Sequence, residues 1–104
     1  MNKLFVDDKR SFNEPGKAGY TCVKTYERAI ILLDIYKKIG LEVVNLDYDL
    51  GESKTGLDIL IYMKENNINP KEIIIHSTHS EGVRKMMRYA KDHFSCQYSY
   101  CPIG

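Results

Sequence analysis

The stretch VVNLDYDLGESKTG, residues 43–56, begins as a mostly apolar run and ends in a polar loop bounded by glycines. A short apolar run without alternation predicts a strand that is buried on both faces. Two aspartates, Asp47 and Asp49, follow directly at the end of this run. Folding alone does not require acids at that position. Their role therefore depends on which residues follow the other predicted strands.

Strand-like and helix-like segments alternate along the rest of the chain. KLFV (3–6), YTCVKT (20–25), EIIIH (72–76) and the alternating tail CQYSYC (96–101) predict further strands. Three segments with helical spacing predict helices: YERAIILLDIYKKIG (26–40), LDILIYMKENN (57–67) and EGVRKMMRYAKDHF (81–94). Strands alternating with helices predict an α/β fold with a parallel sheet of four to five strands.

Residues at the helix ends and on the helix faces make this prediction more specific. Thr25 and Ser80 are the expected N-caps of the first and third helices, and Gly40 is expected to end the first. In the second helix the spacing of Leu57, Leu60, Ile61 and Lys64 indicates one packed face. Residues 9–19 contain Pro15 and two glycines without helical spacing, so the first crossover should lack its helix. No helix is expected after the last strand.

The composition sets limits on the class of protein. A chain of 104 residues is expected to form one domain, residues 1–104. A net charge of +1 gives no global attraction to nucleic acid, and the short apolar runs do not predict a membrane partner. Three cysteines without CxxC spacing, and a start without a cleavage signal, favour reduced thiols in the cytoplasm.

Polar side chains follow three of the predicted strands. Asp7 and Asp8 end the first strand, Asp47 and Asp49 the third, and His76 and Ser77 the fourth. The carboxyl ends of parallel strands meet at one edge of a sheet, where ligands bind. Clustered carboxylates repel one another and can share a cation, so we expect a Mg²⁺ (or Mn²⁺) site open to phosphate oxygens. Ser77 could donate to such an oxygen, and Lys9 or Arg10 could offset its charge.

Two of these residues have two interpretations each. Asp49 is either part of the site, as a ligand or base, or an ordinary turn former. His76 continues an apolar strand, so it is either a catalytic histidine or a buried, hydrogen-bonded one.

These motifs resemble the response-regulator receiver domain, whose fold is flavodoxin-like. FVDD, NLD, a glycine opening GLDIL and a hydroxyl residue ending strand four carry the resemblance. It implies that Asp7, Asp8 and Asp47 bind magnesium, that Asp47 accepts a phosphoryl group and that Ser77 contacts it. The chain departs from the pattern at the final strand, where Cys101 stands in place of the receiver lysine.

A closer resemblance is to the cyclic-phosphate-processing receiver domain, a divergent group from bacterial and phage conflict or RNA-repair settings. LFVDDKR, LDYDLG, TG-D-L and HSTHSEG…M carry it over most of the chain. In that group the position of Tyr48 is more often occupied by His, and the position of His79 more often by Asn.

Two functions follow as hypotheses. In the first, a metal-dependent enzyme acts on a phosphate-containing small molecule; Asp49 or His76 is the base, and Arg10 steadies the departing oxygen. In the second, a non-enzymatic signalling module takes a phosphoryl group on Asp47 from a phosphodonor, and a protein partner or a homodimer reads the result. A third interpretation is an interaction domain whose pocket has lost both roles.

Overall fold

A five-stranded, all-parallel sheet with three helices forms the part of the chain that the structure describes. The structure is a computed structural model, and it describes residues 2–9 and 19–101. The elements, in chain order, are β1 (Lys3–Val6), β2 (Tyr20–Val23), α1 (Tyr26–Ile39), β3 (Val43–Leu46), α2 (Gly56–Glu65), β4 (Glu72–Ile75), α3 (Ser80–His93) and β5 (Gln97–Tyr100). This confirms the predicted α/β receiver-like fold and each of the five strands.

The strand order across the sheet is β2-β1-β3-β4-β5, with all neighbours parallel. The order reverses at β1, whose two neighbours are β2 and β3, and this is where open α/β sheets bind ligands. The predicted absence of a helix in the first crossover concerns mainly residues 10–18, and the predicted absence after β5 concerns residues 102–104. Both segments lie outside the described residues.

All three helices pack on the same face of the sheet. Alternate strand residues share one buried cluster with α1, α2 and α3: Leu4, Val6, Val44, Leu46, Ile73 and Ile75. The intervening residues, among them Phe5 and Asn45, point to the opposite face, because successive side chains of a strand alternate. Phe5 is fully buried and Asn45 is 5% exposed.

Capping residues begin and end the helices. The Thr25 hydroxyl accepts a hydrogen bond from the Arg28 N–H at 3.2 Å, and Gly40, with φ of +102°, ends α1 as predicted. The N-cap of α3 is His79 rather than Ser80, because the His79 backbone is extended and its Nδ1 accepts from the Gly82 N–H at 2.9 Å. Ser80 is already the first residue of the helix.

The buried face of α2 differs from the predicted one. Gly56, Ile59, Leu60 and Met63 are buried, whereas Leu57 and Ile61 are only half-buried and Lys64 is exposed. The reason is position: α2 lies between α1 and α3, so the neighbouring helices cover its flanks as well as the face toward the sheet. Among the helices of residues 2–9 and 19–101, none is long and apolar enough to cross a membrane.

Candidate functional site

Asp7, Asp47 and His76 stand side by side at the carboxyl edge of the sheet. Each follows the last residue of a strand, and those last residues, Val6, Leu46 and Ile75, are register partners. The backbone ladder continues through them, since the Asp47 N–H donates to Val6 and the His76 N–H donates to Leu46. One donor atom from each of the three side chains lies within 4.8 Å of the others. Together with Asp8 and Ser77 we call this group the acidic pocket.

Asp7 is the buried acid of the pocket, only 3% exposed. Its Oδ1 accepts a hydrogen bond from the Lys9 N–H at 2.8 Å, and its Oδ2 lies 2.9 Å from Nε2 of His76. Burying a carboxylate is costly unless it is hydrogen-bonded or paired, and both of its oxygens have a partner here. The first acid of the DD pair is therefore fixed in orientation.

Asp8 contacts the loop that follows β3. A Cβ atom added to Gly51 would lie 2.7 Å from Oδ2 of Asp8, and Gly51 has a φ of +70°. Glycine is needed there both for the left-handed backbone and for the close approach. The other oxygen of Asp8, Oδ1, is buried and has no hydrogen-bond partner in the described structure.

Asp47 is half-buried and its carboxyl has a raised pKa. Burial is the largest cause, and the charge of Asp7 raises the pKa further; a hydrogen bond from the Ser77 hydroxyl, the nearby His76 and the Asp49 N–H each lower it. The Asp49 N–H lies 3.3 Å from Oδ1 of Asp47. The surroundings of Asp47 thus disfavour its negative charge.

Asp49 is exposed and lies at the turn. Its Oδ1 accepts a hydrogen bond from the Gly51 N–H at 2.9 Å, an arrangement typical of an Asx turn. The three-residue donor cluster at the strand ends does not include it. Its roles as a ligand or a base stay predictions.

His76 is held by a polar residue that the sequence analysis did not single out. It is 2% exposed, stacks on Phe5 with ring centroids 4.7 Å apart, and places Nδ1 2.5 Å from Oδ1 of Asn45. Asn45 is the polar residue in the otherwise apolar run VVNL, and a buried polar side chain normally needs a partner. A polar residue at a position predicted to be buried was therefore the feature of the sequence that could have identified Asn45.

Ser77 links the pocket to the edge of the sheet. It is 6% exposed, and its hydroxyl bonds to Asp47 while accepting the His79 N–H at 3.1 Å. Its backbone carbonyl accepts from the Tyr100 hydroxyl at 3.1 Å. Ser77 therefore connects β3, the start of α3 and the edge strand β5.

Tyr48 and His79, the two positions that depart from the motifs of the resembling group, contact each other. Their ring centroids are 4.7 Å apart. Tyr48 also packs on the backbone of Gly82, where an added Cβ would lie 2.3 Å from its Cγ. The loop residue next to Asp47 is thereby fixed against the N-terminus of α3.

Residues 47–55, which we call the β3–α2 loop, contact the N-termini of all three described helices. Glu52 accepts the Tyr26 N–H of α1 at 2.9 Å. Thr55 and Asp58 form a capping box at α2, and Tyr48 packs at α3. The helix N-termini carry partial positive charge, so all three direct it toward the same edge as the carboxylates.

Two predicted positions remain, Arg10 and Cys101. Arg10, the expected cation for a departing oxygen, lies outside the described residues. The Cys101 N–H donates to the Ile75 carbonyl at 2.8 Å, so Cys101 follows β5 in the same register as His76 follows β4.

The donor set of the acidic pocket fits a divalent cation. Asp7 and Asp47 offer carboxylate oxygens within 4.8 Å of one another. Asp8 lies outside that three-residue cluster, and its buried Oδ1 has no partner among the described residues. Carboxylates with open positions left for phosphate or water are the ligands that Mg²⁺ and Mn²⁺ take in proteins.

Comparisons with known proteins agree with the observed fold. The family described as the cyclic-phosphate processing receiver domain matches residues 2–92. A solved structure, the signal receiver domain of a protein from Vibrio parahaemolyticus described as a Luxo repressor, superposes with a TM-score of 0.65 at 19% identity. The match covers 99% of this chain and 79% of that one. No curated protein sequence matches the chain.

Proposed function

Because the chain belongs to the cyclic-phosphate processing receiver domain family, we propose that its acidic pocket binds a divalent cation and processes a phosphate group, with a cyclic phosphate ester as substrate. The observation that carries the proposal is Oδ1 of Asp8, a buried carboxylate oxygen without a described partner. Leaving such an oxygen unpaired costs about 1–3 kcal/mol. A cation held by the neighbouring cluster of Asp7, Asp47 and His76 would remove that cost if Asp8 joined its ligands.

The cation, when bound, would supply positive charge to the oxygens of a phosphate ester. We expect Ser77 to donate its hydroxyl to a phosphate oxygen, since that hydroxyl bonds to the neighbouring Asp47 carboxylate. The helix N-termini around the β3–α2 loop favour the approach of an anion. Asp49, an exposed acid whose backbone N–H contacts Asp47, is the group we assign as base for an attacking water.

The experiment is thermal melting of the wild type, Asp47→Asn and Asp92→Asn during a Mg²⁺ titration. Asp92 is an exposed acid near the far end of α3, so its variant is the matched control for loss of one charge. At a hundred times the dissociation constant, binding adds about 2.7 kcal/mol, or roughly 10–20 °C for a domain of this size. We expect this shift in the wild type and the control but not in Asp47→Asn.

Turnover is then tested with a 2′,3′-cyclic nucleoside monophosphate in the presence of Mg²⁺ or Mn²⁺. Opening of the ring to a monoester by the wild type, and its loss in Asp47→Asn and Asp49→Asn, would support the enzyme. Binding of the cation without turnover would contradict the catalytic part. Absence of any shift in the wild type would contradict the metal pocket itself.

A second candidate function is a signalling module phosphorylated on Asp47. The bond from the Tyr100 hydroxyl to the Ser77 carbonyl favours it, because it joins the pocket to the edge strand that a protein partner or a second copy could read. Beryllofluoride, a phosphoryl mimic, tests this candidate. Additional stabilisation of the Mg²⁺-bound wild type by beryllofluoride, together with no turnover, would favour signalling over catalysis.

A further inference from the structure

The contacts of Asn45 define which nitrogen of His76 carries a proton. Oδ1 of Asn45 lies 2.5 Å from Nδ1 of His76, and a carbonyl oxygen can only accept a hydrogen bond. Nδ1 is therefore the donor. The ring cannot turn away, since it is stacked on Phe5 with only 4° between the planes and is 2% exposed.

Because Nδ1 donates to Asn45, Nε2 is the ring nitrogen that faces the acidic pocket. It is paired there with Asp7, and a cation bound between the two would take the place of the proton that they share. Nε2 lies 2.9 Å from Oδ2 of Asp7. Two ligands bound to one ion at right angles, with bonds of about 2.1 Å, stand about 3 Å apart. The nitrogen and the oxygen are thus spaced as neighbouring ligands of a single ion, and Asp47 completes the group within 4.8 Å.

We infer that Nε2 of His76 is a metal ligand, that Asn45 is the residue positioning it, and that the pocket selects a first-row transition-metal dication over Mg²⁺. The inference rests on the proposed cation site and specifies which ion it takes. Mg²⁺ prefers oxygen ligands, whereas imidazole nitrogen suits Zn²⁺, Fe²⁺, Ni²⁺ and Cu²⁺. Mn²⁺ also takes oxygen ligands, but it binds imidazole more readily than Mg²⁺ does and is therefore the probe used below. A ligating histidine usually donates its other ring N–H to an oxygen acceptor, which is the contact that Asn45 makes.

The first test uses the wild type, loaded with Mn²⁺ and examined by pulsed electron paramagnetic resonance. Coordination of Nε2 produces modulation from the directly bound ¹⁴N, and growth with ¹⁵N-labelled histidine changes that modulation. This measurement requires no variant and is therefore independent of whether substitutions fold. The matched control is His79→Asn, which removes the neighbouring imidazole and leaves a good N-cap for α3; its modulation should equal that of the wild type.

The second test measures Mn²⁺ and Mg²⁺ affinities by calorimetry. His76→Phe keeps an aromatic ring against Phe5 and should weaken Mn²⁺ binding about 10–100-fold, while Mg²⁺ binding changes less than about threefold. Asn45→Leu removes the acceptor and should weaken Mn²⁺ binding about 10–100-fold. Asn45→Asp retains an acceptor and should restore Mn²⁺ binding and the ¹⁴N modulation, which a residue needed only for folding would not explain.

The outcomes separate this inference from the proposed function. Mn²⁺ bound to the wild type without ¹⁴N modulation would overturn the role of His76 and leave the cation pocket standing. Equal losses of Mn²⁺ and Mg²⁺ affinity in His76→Phe would also overturn it. If neither ion binds the wild type, the proposed function and the inference fail together.

Discussion

Gly82→Ala should destabilise the protein through Tyr48. The added Cβ would lie 2.3, 2.4 and 2.7 Å from Cγ, Cδ2 and Cδ1 of that ring, against the 3.5–4.0 Å of an ordinary carbon contact. The Tyr48 ring cannot relieve this overlap by moving its hydroxyl end, because the atom in closest contact, Cγ, is separated from the backbone Cα by a single atom. Overpacking of this kind costs about 1–3 kcal/mol. Replacing a helical glycine by alanine stabilises the helix by at most about 1 kcal/mol.

The net expectation for Gly82→Ala is a loss of about 0–2 kcal/mol in the free energy of unfolding, measured by urea denaturation. The double-mutant cycle with Tyr48→Ala tests the cause. Once the ring is removed, Gly82→Ala should be neutral or stabilising by up to about 1 kcal/mol, a coupling of about 1–3 kcal/mol between the two sites. An equal loss in both backgrounds would refute the argument, since the clash would then not involve Tyr48.

Three further substitutions test other contacts. The pKa of Asp47 in the folded state is raised above its ordinary value of 3.8. The folded state therefore binds the carboxyl proton more tightly than the unfolded state does, and the free energy of unfolding falls as pH rises from 3.8 through the raised pKa. In chelator, Asp47→Asn should therefore exceed the wild type in free energy of unfolding at pH 7, with the difference closing below about pH 4 in urea titrations. Thr55→Ala breaks the capping box with Asp58 and should cost about 1 kcal/mol, whereas Thr55→Ser should not. Tyr100→Phe loses the bond to Ser77 and should lower the melting temperature by an amount equivalent to about 0.5–1 kcal/mol.

Local sequence patterns predicted the parallel sheet and its strands because both faces of a covered sheet are apolar. They also predicted that acids would meet at one edge, since Asp7 and Asp47 end strands that are neighbours in the observed order. Thr25 and Gly40 could be recognised because capping depends on the residue and its immediate neighbours.

What could not be predicted depends on contacts between distant segments. The face of α2 is set by helices on both of its sides, which its own periodicity does not contain. His79 caps α3 in place of the stronger cap former Ser80, because the chain leaves β4 through Ser77, whose hydroxyl orients the His79 N–H. Asn45 gained its role only from a histidine 31 positions later in the chain.

The β3–α2 loop, which touches the N-termini of all three described helices, has a consequence for the order of folding. Its contacts with Tyr26 and Gly82 join segments distant in sequence, and they can form only after α1 and α3 have docked on the sheet. We expect such contacts to be absent from the folding transition state, in which the sheet is still assembling. Changes in this loop should then alter the rate of unfolding while leaving the rate of folding nearly unchanged. The residues around Asp47 can therefore vary without slowing the assembly of the scaffold that holds them.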